Sequence, residues 1–80
     1  MKASQRSLSR IAQEIYADWG SKVNFAAKPY LRAMLSLHSI HDHYGYDDAK
    51  GIVIYFLANA GTWRGEKARA IKAELKEMIK

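Results

Sequence analysis

Apolar residues recur along most of the chain at spacings of three and four, which is the period of an amphipathic α-helix. Four segments carry this period, and it predicts helices over residues 7–19, 27–39, 47–60 and 66–79. The connections between them are short, which favours antiparallel packing of neighbouring helices. The pattern therefore predicts an all-α fold, a small four-helix bundle-like single domain over residues 1–80.

Residues that prefer helix ends flank these segments. Serines precede the first segment and can cap it, and Gly20 suits the left-handed conformation that ends a helix. Pro29 belongs in the first turn of the second helix, where a missing backbone N–H costs least. Asp47 and Asp48 suit the start of the third helix, because carboxylates accept hydrogen bonds from its free N–H groups.

The third predicted helix is apolar nearly all round. Its wide face consists of residues at helical spacing, namely Ala49, Ile52, Val53, Phe56, Leu57 and Ala60. Ile54 and Tyr55 fill much of the remaining circumference, as expected of the most buried helix in a small bundle. The β-branched residues 52–54 also permit a strand, but the pattern continues to Ala60 and ends at Gly61, which favours a helix.

The fourth predicted helix sorts its charges about an apolar stripe. Steps of 100° per residue put four cations on one flank, namely Arg69, Lys72, Lys76 and Lys80. The same steps put three carboxylates on the other flank, namely Glu66, Glu74 and Glu77. A row of cations can hold phosphates or an acidic protein surface, although charged flanks are also ordinary for a solvated helix.

Charge and cysteine content narrow the classes of partner and compartment. Thirteen Lys and Arg residues against eight Asp and Glu give a net charge of +5, which attracts polyanions or acidic protein surfaces. The absence of cysteine removes disulfides, thiolate zinc sites and thiol nucleophiles, and it fits a reducing compartment.

No apolar run approaches the roughly 18 residues of a membrane span, and residues 1–10 do not resemble a signal peptide. We therefore expect a cytoplasmic protein without membrane contact, in which a homodimer can cover leftover apolar surface.

Catalytic patterns do not appear in the sequence. Three of the six serines cluster near the N-terminus, none forms a nucleophile-elbow motif, and the five glycines are too dispersed for a phosphate-binding loop. An 80-residue bundle also has little room for an enclosed pocket. We expect a protein that is not an enzyme and needs no cofactor.

Three histidines form the most chemically suggestive cluster. His38, His41 and His43 lie close together with Asp42 and are weak candidates for metal ligands. Residues 40–46 show no sustained period and are predicted to form a loop. The alternative is that the histidines are solvated, with His38 at the negative end of the second helix, and we favour that interpretation.

A second candidate site is the predicted turn at Trp63, Arg64 and Gly65. A large aromatic ring and a guanidinium at a corner between helices can anchor a partner surface. The structural alternative is that Trp63 closes the end of the core while Arg64 stacks on its ring.

Several short runs resemble a group of short uncharacterised proteins carried by bacterial phages, prophages and plasmids. These runs are Lys28-Pro29-Tyr30-Leu31 with Ala33-Met34, Tyr55-Phe56-Leu57-Ala58-Asn59-Ala60, Thr62-Trp63-Arg64-Gly65-Glu66, Ala68-Arg69 and Lys72-Ala73-Glu74-Leu75. The resemblance covers most of the chain from about Leu8 onward and brings no known activity, cofactor or catalytic residue. It implies a bacterial cytoplasmic setting and an accessory protein that engages host or phage machinery.

These features lead to one functional hypothesis and two alternatives. The leading hypothesis is a non-catalytic accessory binding protein of a phage or mobile element. Its protein partner is contacted through Trp63, Arg64, Arg69, Lys72 and Lys76. One alternative is a small basic nucleic-acid-binding protein that uses the same cations with Arg6, Arg10 or Lys28. The other is a metal-binding module built on the histidine loop.

Overall fold

Helices make up most of the described chain. The computed structural model describes residues 6–45 and 47–80. Its α-helices are α1 Leu8–Trp19, α2 Lys28–Met34, α3 Ala49–Ala58 and α4 Glu66–Met78. A 3-10 turn, Gly20–Lys22, follows α1, and two short strands, β1 His43–Tyr44 and β2 Asp47–Asp48, precede α3. The mainly helical fold is confirmed, whereas the strands correct the all-α prediction. The bundle-like packing and the single domain stay predictions.

Side-chain caps and a glycine set the ends of α1 and the start of α3. The Ser7 side chain accepts a hydrogen bond from the Arg10 N–H, and Gly20 ends α1 with φ 62°. Asp48 caps α3 by accepting a hydrogen bond from the Gly51 N–H at 2.8 Å. A Cβ at position 51 would lie 2.8 Å from that same oxygen, so glycine fits beside the cap. The helix therefore begins at Ala49. The sequence predicted a start two residues earlier, at residue 47.

Helix α2 ends at Met34, five residues before the predicted end. The carbonyl of Leu37 accepts a hydrogen bond from the Ser9 N–H at 2.9 Å, and that of His38 accepts one from the Leu8 N–H at 3.3 Å. These two bonds satisfy N–H groups at the start of α1, which have no partner within their own helix. Beyond Met34 the N–H groups of Leu35, Ser36 and Leu37 bond to carbonyls three residues earlier, and the carbonyls of Leu37 and His38 bond to α1.

A small hairpin occupies much of the segment that was predicted to be a loop. Strands β1 and β2 are antiparallel, with His43 opposite Asp48 and Tyr44 opposite Asp47. Gly45 has φ 65°, which suits a tight hairpin turn. Tyr46, which also falls in the predicted loop, lies outside the described residues. Strands of two residues are too short to show an alternating pattern in the sequence.

Three aromatic side chains close one end of the core. Trp19 stacks on Trp63 with ring centroids 5.6 Å apart and an angle of 14° between the ring planes. Phe56 meets both indoles edge-on, with centroid distances of 6.3 Å to Trp19 and 6.4 Å to Trp63. All three belong to one connected cluster of buried apolar residues. Offset stacking and edge-on contacts are the arrangements that aromatic pairs favour.

Helix α3 is not surrounded by other elements, contrary to the prediction that it is the most buried helix. Its core face is covered, but Ile54 is 46% exposed and Tyr55 is 58% exposed. The seven-residue α2 and the hairpin pack beside α3 and leave this side open. In the described part of the chain, no helix has the length and apolar character needed to cross a membrane.

Two neighbouring isoleucines of α3 allow this exposure to be tested. Ile52 is 4% exposed and Ile54 is 46% exposed. We expect Ile52→Ala to lower the free energy of unfolding by about 2–5 kcal/mol, because it removes buried methyl groups and leaves a cavity. The matched change Ile54→Ala should cost less than about 0.5 kcal/mol. Urea denaturation measures both values, and similar losses would show that Ile54 is covered in solution.

Candidate functional site

Trp63 is a core residue and does not present its ring to a partner. Its side chain is 2% exposed, and its indole N–H donates a hydrogen bond to the Asp18 carboxylate at 2.8 Å. A buried indole needs such an acceptor, because the N–H otherwise loses its bond to water. This placement fits the structural alternative, in which Trp63 closes one end of the core. The hypothesis that the Trp63 ring anchors a partner needs an exposed ring, and this ring is buried.

Lys72 is held directly against Trp63. Its ammonium donates a hydrogen bond to the Trp63 carbonyl at 2.7 Å and lies 5.8 Å from the centroid of the ring. At that distance the cation is attracted by the electron-rich face of the indole. The cation over the ring is therefore Lys72, whereas the sequence suggested Arg64. Two interactions fix the Lys72 head group at the corner between α3 and α4.

Arg64, Lys72 and Lys76 form a cluster of like charge, which we call the basic corner. Partial burial lowers the pKa of the Lys72 ammonium, and the positive charges of Lys76 and Arg64 lower this pKa further. No ion pair with a carboxylate joins these three residues in the part of the chain that the structure describes. The corner therefore keeps its positive charge available to an incoming anion.

Two further cations, Arg69 and Lys22, lie outside the basic corner as defined above. Arg69 is exposed on α4, as the sequence suggested, and is not among the charges that lower the pKa of Lys72. Lys22, which the sequence did not suggest, lines a shallow depression of about 360 Å³ together with Arg64, Thr62 and the acidic residue Asp18. Lys22 comes here because the 3-10 turn follows Trp19, which stacks on Trp63. No periodic signal in the sequence could reveal this proximity.

The opposite flank of α4 is occupied by an internal ion-pair network. The Arg6 guanidinium contacts Glu74 at 2.6 Å and Glu14 at 2.5 Å. Its hydrogen bond to Glu74 is the main reason that the pKa of Arg6 is raised above its ordinary value. Arg6 is thus paired with two carboxylates and does not extend the basic corner.

The structure separates the three histidines. The Asp42 carboxylate accepts hydrogen bonds from the backbone N–H groups of His38, at 2.8 Å, and Ser39, at 3.3 Å. His38 and His41 line a depression beside the end of α4, whereas His43 lies on β1 and lines a different groove. In residues 6–45 and 47–80, no three side chains of the metal-ligating types converge. The geometry therefore does not favour the metal-binding alternative.

Among these features, the basic corner has the clearest chemical capacity. Arg64 offers planar, paired donors, and Lys72 and Lys76 offer compact positive charges, so the cluster suits a carboxylate or a phosphate. Comparison of the chain with protein-family models, with curated proteins and with solved structures gives no match.

Asp42 allows a test of how the histidine loop is held. The hydrogen bond from the His38 N–H, followed by that from Ser39, lowers the pKa of Asp42 below its ordinary value. The charged carboxylate therefore stabilises the fold above the pKa of an unfolded aspartate, about 3.9, and this contribution is lost as the pH falls through the lowered folded value.

We expect Asp42→Asn to unfold at a lower urea concentration than the unmodified chain at neutral pH. The difference should shrink as the pH falls below about 4, because the native carboxylate then becomes neutral as well. The control is Asp47→Asn, which changes an exposed carboxylate on β2 that makes no such backbone contact. A difference for Asp42→Asn that is equally large at neutral and acidic pH would contradict this role.

Proposed function

We propose that the protein is a non-catalytic accessory binding protein whose basic corner holds an acidic surface of a partner protein. The observation that carries this proposal is the grouping of Arg64, Lys72 and Lys76 with no carboxylate paired to them. The resemblance to phage, prophage and plasmid proteins supports a host or phage protein as the partner, in the bacterial cytoplasm.

Electrostatics supports an anionic partner at this corner. Three neighbouring cations repel one another in the free protein, and an incoming carboxylate relieves that repulsion. Lys72 is already fixed by the Trp63 carbonyl and ring, so less side-chain entropy is lost when it binds. Charges of one sign also speed association with an oppositely charged surface and fix its orientation.

The arrangement of the acidic residues supports the same conclusion. Glu14 and Glu74 pair with Arg6, Asp18 accepts the Trp63 indole N–H, and Asp48 caps α3. These carboxylates are therefore engaged within the fold. Glu14 and Glu74 offset the charge of Arg6, and in the described residues none of these four carboxylates forms an ion pair with the basic corner.

A nucleic-acid partner is the alternative, because phosphates also suit these cations. Binding to a duplex requires cations spread along the path of the backbone phosphates. Arg6, one of the cations expected to extend such a path, is engaged with Glu14 and Glu74. The compact corner therefore favours a localised acidic patch on a protein.

Binding of a glutamate-rich peptide tests the proposal, with fluorescence anisotropy as the measurement. We expect the double variant Arg64→Gln/Lys76→Gln to weaken binding by at least about tenfold, because it removes two charges of the basic corner. The matched control is Lys28→Gln/Arg32→Gln, which removes two exposed cations from α2 and should weaken binding by less than about threefold.

Two results would contradict the proposal. Equal weakening by both double variants would indicate that only the net charge of the protein matters. Tighter binding of an oligonucleotide than of the glutamate-rich peptide at the same salt concentration would favour the nucleic-acid alternative.

The lowered pKa of Lys72 gives a second test, based on pH. A bound carboxylate favours the charged ammonium, so affinity is full below the lowered pKa and declines as the pH rises through it. We expect peptide binding to weaken as the pH rises from neutral toward the ordinary lysine pKa of about 10.4. Lys72→Arg should reduce this decline, because a guanidinium stays charged throughout that range. The same decline in both proteins would show that Lys72 does not contact the peptide.

A further inference from the structure

A second surface carries acidic and aromatic side chains in place of basic ones. It lies on the side of the molecule where Ile54 and Tyr55 of α3 are exposed. It is a groove of about 840 Å³ between α2, the hairpin and α3. Three tyrosines from these three elements line it: Tyr30, Tyr44 and Tyr55. Two carboxylates, Asp47 and Asp48, line it as well. We call this surface the tyrosine groove.

The tyrosine rings offer exposed aromatic faces. Tyr30 and Tyr55 stack with centroids 5.5 Å apart and an interplanar angle of 24°, so each ring supports the other. Tyr55 is 58% exposed and Tyr44 is 48% exposed. The face of an aromatic ring carries partial negative charge, which attracts ammonium and guanidinium groups within about 6 Å.

The carboxylates give the tyrosine groove a local charge opposite to that of the protein. Asp47 and Asp48 are both exposed, and Asp48 uses one oxygen to cap α3 through Gly51. The described residues that line the groove include no lysine or arginine, and His43 is their one basic side chain. On a chain with a net charge of +5, the groove is therefore a place where a cation meets carboxylates.

We propose that the tyrosine groove binds a lysine or arginine side chain from an extended basic segment of another protein. The cation lies against Tyr55 and Tyr44 while Asp47 and Asp48 neutralise its charge. The groove is open to solvent and is lined by three elements, which suits a chain segment that lies across them, whereas small-molecule sites enclose most of their ligand. This inference does not depend on the basic corner, which takes a partner of opposite charge.

Nuclear magnetic resonance titration of the full chain tests the proposal with a pair of short peptides. One is a serine- and glycine-based peptide that contains arginines, and the other carries glutamine at the same positions. We expect the arginine peptide to shift the amide resonances of Tyr44, Gly51 and Tyr55, and the glutamine peptide to shift them far less. Tyr55→Leu should weaken binding roughly two- to fivefold, because it removes one aromatic face.

Substitution of the carboxylates provides the sharper test. Asp47→Asn/Asp48→Asn removes both charges from the groove and keeps the cap of α3, because asparagine is as good an N-cap as aspartate. We expect binding of the arginine peptide to weaken by at least about tenfold. The matched control, Glu66→Gln/Glu77→Gln, removes two exposed carboxylates from α4 and should change binding less than about twofold.

Three outcomes would overturn the proposal. The first is equal binding of the arginine and glutamine peptides. The second is equal weakening by the two carboxylate double variants. The third is a homodimer in analytical ultracentrifugation that dissociates on Tyr55→Leu, because a second copy of the chain would then occupy the tyrosine groove. Unchanged peptide binding by Arg64→Gln/Lys76→Gln would show that the groove acts separately from the basic corner.

Discussion

The contact between Trp63 and the end of α1 is the interaction on which much of the structure depends. The Trp63 ring stacks on Trp19, and its indole N–H bonds to Asp18, so one side chain joins the α3–α4 link to the first helix. Burial of a large ring stabilises the fold only if its N–H keeps a partner, and Asp18 provides that partner from the surface. This residue pair, 45 positions apart in sequence, adds to the direct contacts between the first and last helices.

The same contact explains why a core residue shapes a charged surface. With the ring of Trp63 buried, its carbonyl and one ring face remain within reach of Lys72, which binds both. Lys72 is thereby kept beside Arg64 and Lys76 although like charges repel. The free energy of that repulsion is offset by the contacts of Lys72 with Trp63. Contacts with a buried residue, here Trp63, can thus hold together a surface whose charges all have the same sign.

Sequence periodicity predicts those parts of the fold whose hydrogen bonds are local. Helices α1 and α4 begin and end within one residue of the predicted ranges, because their bonds run within each helix and their apolar stripes face one core. The segment after α2 is held by hydrogen bonds that the carbonyls of Leu37 and His38 accept from α1, which no local pattern reveals. Likewise, the flank of α4 predicts Lys72 and Lys76 of the corner, but Lys22 comes near Arg64 only through tertiary packing.

Helix α3 shows why an apolar pattern alone does not determine burial. It carries two apolar stripes, and the second, Gly51, Ile54, Tyr55 and Ala58, follows the i, i+3, i+4, i+7 spacing of a face that packs against a neighbour. The described elements cover the first stripe and leave Ile54 and Tyr55 of the second exposed. The covered stripe fixes the core, and the open stripe leaves Tyr55 free to stack on Tyr30 at the surface. The hairpin carboxylates beside the open stripe give that face a preference for cations.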